Sequence, residues 1–277
     1  MSAEYDVLQL RILLWFLNSP PEECNVTALS KGLNREKYQI SRMMQQLEKE
    51  GLVNREDPRH PYLTPEGKAK GEYYKERMDL TVSHLVYEGV DLEHARTDAY
   101  YWALYNSDET MQVIRAMDEK CRVKTYFRDR EKFSGAELAK EIQSGIWQLQ
   151  FIINREYGKA GRTVSMSNKA FEHPCVMAVV DGVGTVQLHS VPIRAFSPLS
   201  NSLLEGKAKN VKYFQDGMFH QAEFGSDVVV IPLEAFSFYS NGKGNNQVIY
   251  GSLMLKFQAS VGKVHMPESK AILTLVL

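Results

Sequence analysis

Val7, Leu10, Leu14 and Leu17 recur at helical spacing near the start of the chain, which predicts an amphipathic helix. Asn18-Ser19-Pro20-Pro21 stops it, because proline has no amide hydrogen and clashes with the preceding turn. A short second helix is predicted over Thr27 to Leu33, and a tight connection at Gly32 to Glu36 leads into a third, Lys37 to Glu50. In the third helix Ile40, Met44 and Leu47, with Met43 beside them, form an apolar stripe, and Gly51 supplies a C-terminal cap. The segment LVNREDPRHPYLTPEG then has strand-like ends, Leu52-Val53 and Tyr62-Leu63, around a polar, proline-containing tip. That pattern predicts a two-stranded wing. Thr64-Pro65-Glu66 offers an N-cap and a proline at the first helical position, opening a long helix to about Glu88. Two further helices are predicted, Leu92 to Tyr105 and Ser107 to Cys121.

From Arg122 the pattern changes. A charged stretch, Arg122 to Lys132, and one helix near Ser134 to Ser144 precede β-branched and aromatic runs. These runs (VMAVVDGVGTVQLHSVPI, VKYFQDGMFHQAEF, DVVVIPLEAFSFYS and QVIYGSLMLKFQAS) are punctuated by Asp-Gly and Gly-Lys-Gly-Asn-Asn turns. The predicted fold is therefore a multidomain α+β chain. Residues 1–75 form a winged helix-turn-helix, 76–121 a helical dimerisation segment, and 122–277 a β-rich effector or interaction domain.

Charge adds a constraint. The formal net charge is -1, so a nucleic-acid-binding surface must be local and balanced by acidic residues elsewhere. Three scattered cysteines, Cys24, Cys121 and Cys175, do not make a disulfide framework and suit a reducing compartment. Acidic residues precede the first apolar stretch and Arg11 interrupts it, so neither a secretory signal nor a membrane span fits. A cytoplasmic location without membrane contact is expected.

The polar face of the third helix carries Tyr38, Ser41, Arg42, Gln45 and Lys49, with Lys37 and Gln39 at its start. Arginine can bond guanine bidentately and glutamine can do so with adenine, while hydroxyls and lysine hold phosphates. Asn54, Arg55, Arg59 and His60 on the wing can lie against phosphates or enter a minor groove. A polar helix face alone is ordinarily just solvated. Here it stands in an ordered set: short helix, tight turn, Glu-Gly-Leu-Val, proline-bearing wing and Leu-Thr-Pro-Glu-Gly-Lys. That set predicts double-stranded DNA as the partner.

Residues 64 to 115 go further. Gly89-Val90-Asp91 and Ser107-Asp108-Glu109, set among these helices, resemble the diphtheria-toxin-repressor family of metal-dependent regulators over roughly residues 5 to 121. The resemblance implies a homodimer whose seam is built from the helices after the wing. It also implies a metal held there, yet the positions matching the family's ligand cluster carry Tyr100, Ala103 and Leu104. Where the family supplies a histidine on the long helix, this chain has Arg77 or Met78. A transition metal needs imidazole, thiolate or carboxylate donors. The expectation is a scaffold without metal or other cofactor. Tyr100, Tyr101, Trp102 and Tyr105 are expected to pack the core or the dimer seam, or else to line a small-molecule pocket.

The β-rich half contains no phosphate-binding glycine loop, HExxH or Gly-x-Ser-x-Gly motif, and His173-Pro174-Cys175 reads as a structural loop. No enzyme is predicted. The expected function is a homodimeric, sequence-specific transcriptional regulator, more a repressor than an activator. A MarR-like regulator relieved by a small-molecule effector stands beside it, as does an interaction module whose winged helix no longer touches DNA.

Overall fold

The computed structural model describes residues 3–156, 163–197, 202–261, 264–265 and 268–277. It divides into two compact units, Met1–Asp118 and Glu119–Leu277.

In the first unit α1 (Ala3–Asn18) ends before Pro20, and a single 3-10 turn, Pro21–Glu23, follows. Helix α2 (Val26–Leu33) starts where the Asn25 side chain accepts the amides of Thr27 and Ala28, satisfying two first-turn donors. It stops at Asn34, which adopts the left-handed conformation (φ 49°) that asparagine tolerates better than most residues. Ser30 clamps this turn, its hydroxyl donating to the Arg35 carbonyl at 2.6 Å. Next come α3 (Lys37–Lys49) and a hairpin, β1 (Val53–Asn54) with β2 (Tyr62–Leu63), pairing Val53 with Leu63 and Asn54 with Tyr62. Ile12, Leu13, Leu29, Ile40, Met44 and Leu47 are wholly buried in one cluster that α1, α2 and α3 share. Gly32 lets α2 approach α1: a Cβ there would lie 2.0 Å from the Trp15 ring.

Thr64 joins the hairpin to α4 (Pro65–Tyr87). Its hydroxyl donates to the Gly51 carbonyl at 2.6 Å and accepts the Gly67 amide at 3.0 Å. Gly89, with φ 98°, turns the chain into α5 (Leu92–Tyr105), capped by Asp91. The buried stripe of α5 is Ala95, Ala99 and Ala103, and it packs on α4. Helix α6 (Asp108–Tyr126) follows.

The charged stretch after Cys121 begins as helix, since α6 continues to Tyr126. Val123 and Phe127, one helical turn apart, are both fully buried in the core of the second unit. Buried Glu119 receives the Arg122 guanidinium at 2.7 and 2.9 Å and the Gln143 amide at 2.8 Å.

The second unit is an antiparallel sheet with one short helix. Strand β3 (Lys132–Ser134) leads into α7 (Gly135–Glu141), where Ser134 and Glu137 form a reciprocal capping box. Then come β4 (Gly145–Arg155), β5 (Cys175–Val180), β6 (Val183–His189), β7 (Ile193–Ser197), β8 (Ser202–Gln215) and β9 (Met218–Gln221). They are followed by β10 (Glu223–Gly225), β11 (Val228–Pro232), β12 (Ser237–Asn241), β13 (Val248–Val261), β14 (Val264–His265) and β15 (Ser269–Val276). The main path runs β10-β11-β6-β5-β4-β15-β13-β12-β3, with β8 also on β13 and flanked by β7 and β9.

Two long strands change partner along their length, and the sheet curls accordingly. Strand β4 pairs with β5 up to Leu149 and with β15 from Gln150. Strand β13 pairs with β12 over 248–252 and with β8 over 255–261. Trp147, Leu149, Phe151 and Ile153 alternate inward from β4, as the period of two requires. Among the described residues no helix is long and apolar enough to cross a membrane.

Candidate nucleic-acid interface

Helix α3 separates its residues sharply. Ile40, Met43, Met44 and Leu47 are at most 1% exposed, while Lys37, Tyr38, Gln39, Arg42, Gln45 and Lys49 are all exposed and Ser41 is half-buried. Tyr38, at 71% exposure, holds an aromatic ring in solvent with no core to fill. Glu36, the N-cap, makes no side-chain cap bond, so amides of the first turn are left for water or an anionic oxygen.

The hairpin tip is built from its own polar side chains. Asn54 accepts the Glu56 amide at 3.0 Å and Asp57 accepts the Arg59 amide at 2.9 Å, two turns that fold the loop back on itself. Arg59 and His60 are thereby left exposed. Arg55 is placed differently from the other wing residues. Its side chain is only 12% exposed and its Nη1 lies 3.5 Å from Glu48 on α3, so it braces the hairpin against the helix. Tyr62 on β2 is exposed as well.

Beyond the hairpin, Arg77 on α4 is 5% exposed. Its Nε donates to the Ala103 carbonyl at 2.8 Å. Nη1 donates to the Asp108 carboxylate at 2.6 Å and to the Tyr73 hydroxyl at 2.9 Å, and Nη2 donates to the Asn106 carbonyl. One guanidinium thus satisfies carbonyls at the end of α5, where helical acceptors lack intrahelical partners, and ties them to the start of α6. Tyr73 also donates to Asp108 at 2.7 Å. That bond, with the Arg77 charge beside it, holds the Asp108 carboxyl below its ordinary range, and it holds the Tyr73 proton, raising that phenol.

The resemblance implies a metal near this junction, and the residues present do not fit one. Arg77 brings its own positive charge among the oxygen atoms. Ala103 is buried and Leu104 half-buried, and neither has a donor side chain, while Tyr100 is half-buried. His94 is paired with Asp91 at 2.5 Å, and the His84 ring lies 6.3 Å from that of Trp102. Among the described residues, no three His, Cys, Asp or Glu side chains converge as a metal site. The aromatic residues of α5 do not fill the core: Tyr101 and Tyr105 are exposed and Tyr100 and Trp102 half-buried, because the alanine stripe takes the packed face.

No protein-family model matches the chain, and no curated protein matches it. Among solved structures it is similar to a manganese-dependent transcriptional repressor in complex with manganese, at 15% identity and a TM-score of 0.34, covering 83% of this chain and 99% of that one. It is similar to T. acidophilum IdeR at 12% identity and a TM-score of 0.32, covering 84% and 99%. It is also similar to the NEAT5 domain of IsdX2, a B. anthracis hemophore, in complex with heme. That match has 12% identity and a TM-score of 0.29, covering 48% of this chain and 96% of that one. At scores of this size none of the three likenesses bears on what the chain binds.

Proposed function

We propose that α1, α2, α3 and the β1–β2 hairpin constitute a winged helix-turn-helix, and that the protein is a homodimeric, sequence-specific DNA-binding transcriptional regulator that works without a metal. The observation that carries this reading is the two-faced α3. Its apolar residues are spent on the core, while Lys37, Tyr38, Gln39, Arg42 and Gln45 stand together in solvent. Arg42 and Gln45 supply base-reading chemistry, and Lys37 and Lys49 supply phosphate contacts. Arg59 and His60 on the hairpin extend the same surface. In a two-fold dimer the paired helices meet a palindromic operator at a spacing of one duplex turn or a multiple. Exposed apolar side chains on α5 and α6 (Leu92, Tyr101, Tyr105, Val113 and Met117) offer material for a dimer seam. Metal independence is supported by Arg77, which fills the α4–α5–α6 junction with a permanent cation.

The test is binding of the purified full chain to DNA upstream of its own coding region, titrated with salt, with and without a chelator. Tight binding that weakens steeply with salt, as counterion release demands, and ignores the chelator is expected. Loss of binding on chelation would overturn metal independence, and absence of binding in both conditions would favour a protein-interaction role.

A further inference from the structure

Two residues that α5 leaves out of the core, Leu92 and Tyr100, open onto a groove. It lies between the end of α1, the middle of α4 and the first half of α5, and encloses about 490 Å³, within the roughly 300–1,000 Å³ of small-molecule sites. Leu14, Met78, Val82 and Tyr100 line it, each half-buried, so a floor of apolar surface remains in contact with water. Two cations stand on its walls, Lys75 from α4 and Arg96 from α5, with Asp79 as the sole opposing charge among the lining residues. All three are exposed. Neighbouring ions of α4 are engaged: Lys68 faces Glu72, Glu76 faces Arg115 and Arg77 faces Asp108. Lys75, Arg96 and Asp79 are in no ion pair among the described residues. The other polar linings are already committed, Asn18 to the Leu14 carbonyl and Ser83 to Asp118.

We propose that this groove binds an amphipathic organic monocarboxylate. Its apolar body covers Leu14, Met78, Val82 and Tyr100, and its carboxylate lies between Lys75 and Arg96. The charge pattern selects this class. Two cations, one from α4 and one from α5, match one carboxylate, for which the planar guanidinium of Arg96 offers paired donors. The apolar floor disfavours a small hydrated anion, whose shell of water has nothing to bond to there. Asp79 opposes the ligand's charge and so limits affinity, which makes the effect of removing it opposite in sign to that of removing either cation. The proposal concerns ligand binding by the α1–α4–α5 groove and does not depend on DNA recognition.

The experiment is calorimetric titration of the full-length protein with 2-naphthoate and, separately, with neutral 2-naphthamide, in the absence of DNA. Saturable naphthoate binding is expected, with naphthamide weaker by about tenfold or more. Arg96→Gln and Lys75→Gln should each weaken naphthoate by about two- to fivefold, while Asp79→Asn should tighten it by about two- to fivefold. These are exposed positions, and circular dichroism of each variant confirms the fold. Equal affinity for acid and amide, indifference to Arg96→Gln and Lys75→Gln, or no binding at millimolar ligand would each overturn the assignment. So would sedimentation showing that Met78→Glu turns a dimer into a monomer while the wild-type dimer binds no naphthoate, since a second copy would then fill the groove.

Discussion

Arg77 Nη1 and Asp108 Oδ1 meet at 2.6 Å between α4 and α6, the arginine side chain 6% exposed and the aspartate 70%. The pair is therefore asymmetric: Arg77 depends on the oxygens around it, whereas Asp108 keeps its access to water.

Arg77→Ala should lower stability by about 2–4 kcal/mol, because it leaves the Ala103 and Asn106 carbonyls without their donor and opens a cavity. Arg77→Lys should recover only part of this, since one ammonium cannot span both carbonyls and the carboxylate. Urea unfolding of the three proteins checks it. A lysine variant as stable as wild type would mean that the fork geometry is irrelevant.

Asp108 makes the same junction sensitive to acid. Its pKa is depressed in the folded chain by the Tyr73 hydroxyl and the Arg77 charge. Its contribution is thus fully present above the unfolded aspartate value of roughly 3.9 and is lost as pH falls through the lower folded value. The melting temperatures of wild type and Asp108→Asn should differ most above that window and converge below it. A gap that persists unchanged into strong acid would show that the carboxyl is not depressed.

At Gly32 the usual preference should reverse. Alanine in place of a helical glycine ordinarily stabilises by up to about 1 kcal/mol, but the new Cβ would sit 2.0 Å from Trp15. Gly32→Ala should cost about 1–3 kcal/mol as overpacking, and Trp15→Leu in the same chain should relieve part of it. Independent, additive effects in that double-mutant cycle would remove the contact from the account.

On the DNA-binding reading, Arg42→Ala should cost about 1–3 kcal/mol of operator affinity and relax preference at one base pair. Lys49→Ala should weaken all sequences alike and flatten the salt slope. Selection from a randomised duplex library reads both. Unaltered base preference without Arg42 would move base reading to other residues of α3.

The thiol of Cys175 is pushed up to about 12 by burial, and it donates to the Leu149 carbonyl at 3.3 Å. At neutral pH it is therefore protonated and unreactive. Maleimide should label Cys175 only after denaturation, and rapid labelling of the native chain at this position would contradict the buried placement.

Much of the first unit is legible in its residues because its signals are local. Thr64-Pro65 caps a helix where it should, Gly51 has the positive φ (72°) that ends α3, and the stripe of α3 is the buried one. Arg77 is legible only as a missing ligand, since the carbonyls and carboxylate it binds lie 26 to 31 residues away. Burial of Arg55 against Glu48, seven residues away, is hidden because it arises only once the hairpin folds against α3. In the second unit the turns at Asp181-Gly182 and Asp216-Gly217 mark hairpins, with positive φ at all four residues. Strands β4 and β15 lie outside the β-branched runs, although the alternation Trp147, Leu149, Phe151, Ile153 is a strand signal in its own right. The extension of α6 to Tyr126 is masked by its charged exterior, and only Val123 and Phe127 mark the inner face.

Strand β15, the last in the chain, lies between β4 and β13 and hydrogen-bonds along both. The middle of the sheet is therefore completed by residues made after both of the strands they join. Until they arrive, β4 and β13 each present an unpaired edge, the kind of surface on which strands of neighbouring chains can add. The first unit takes no strand from the second, so synthesis of this protein passes through a stage in which the helices are complete while the sheet is still open.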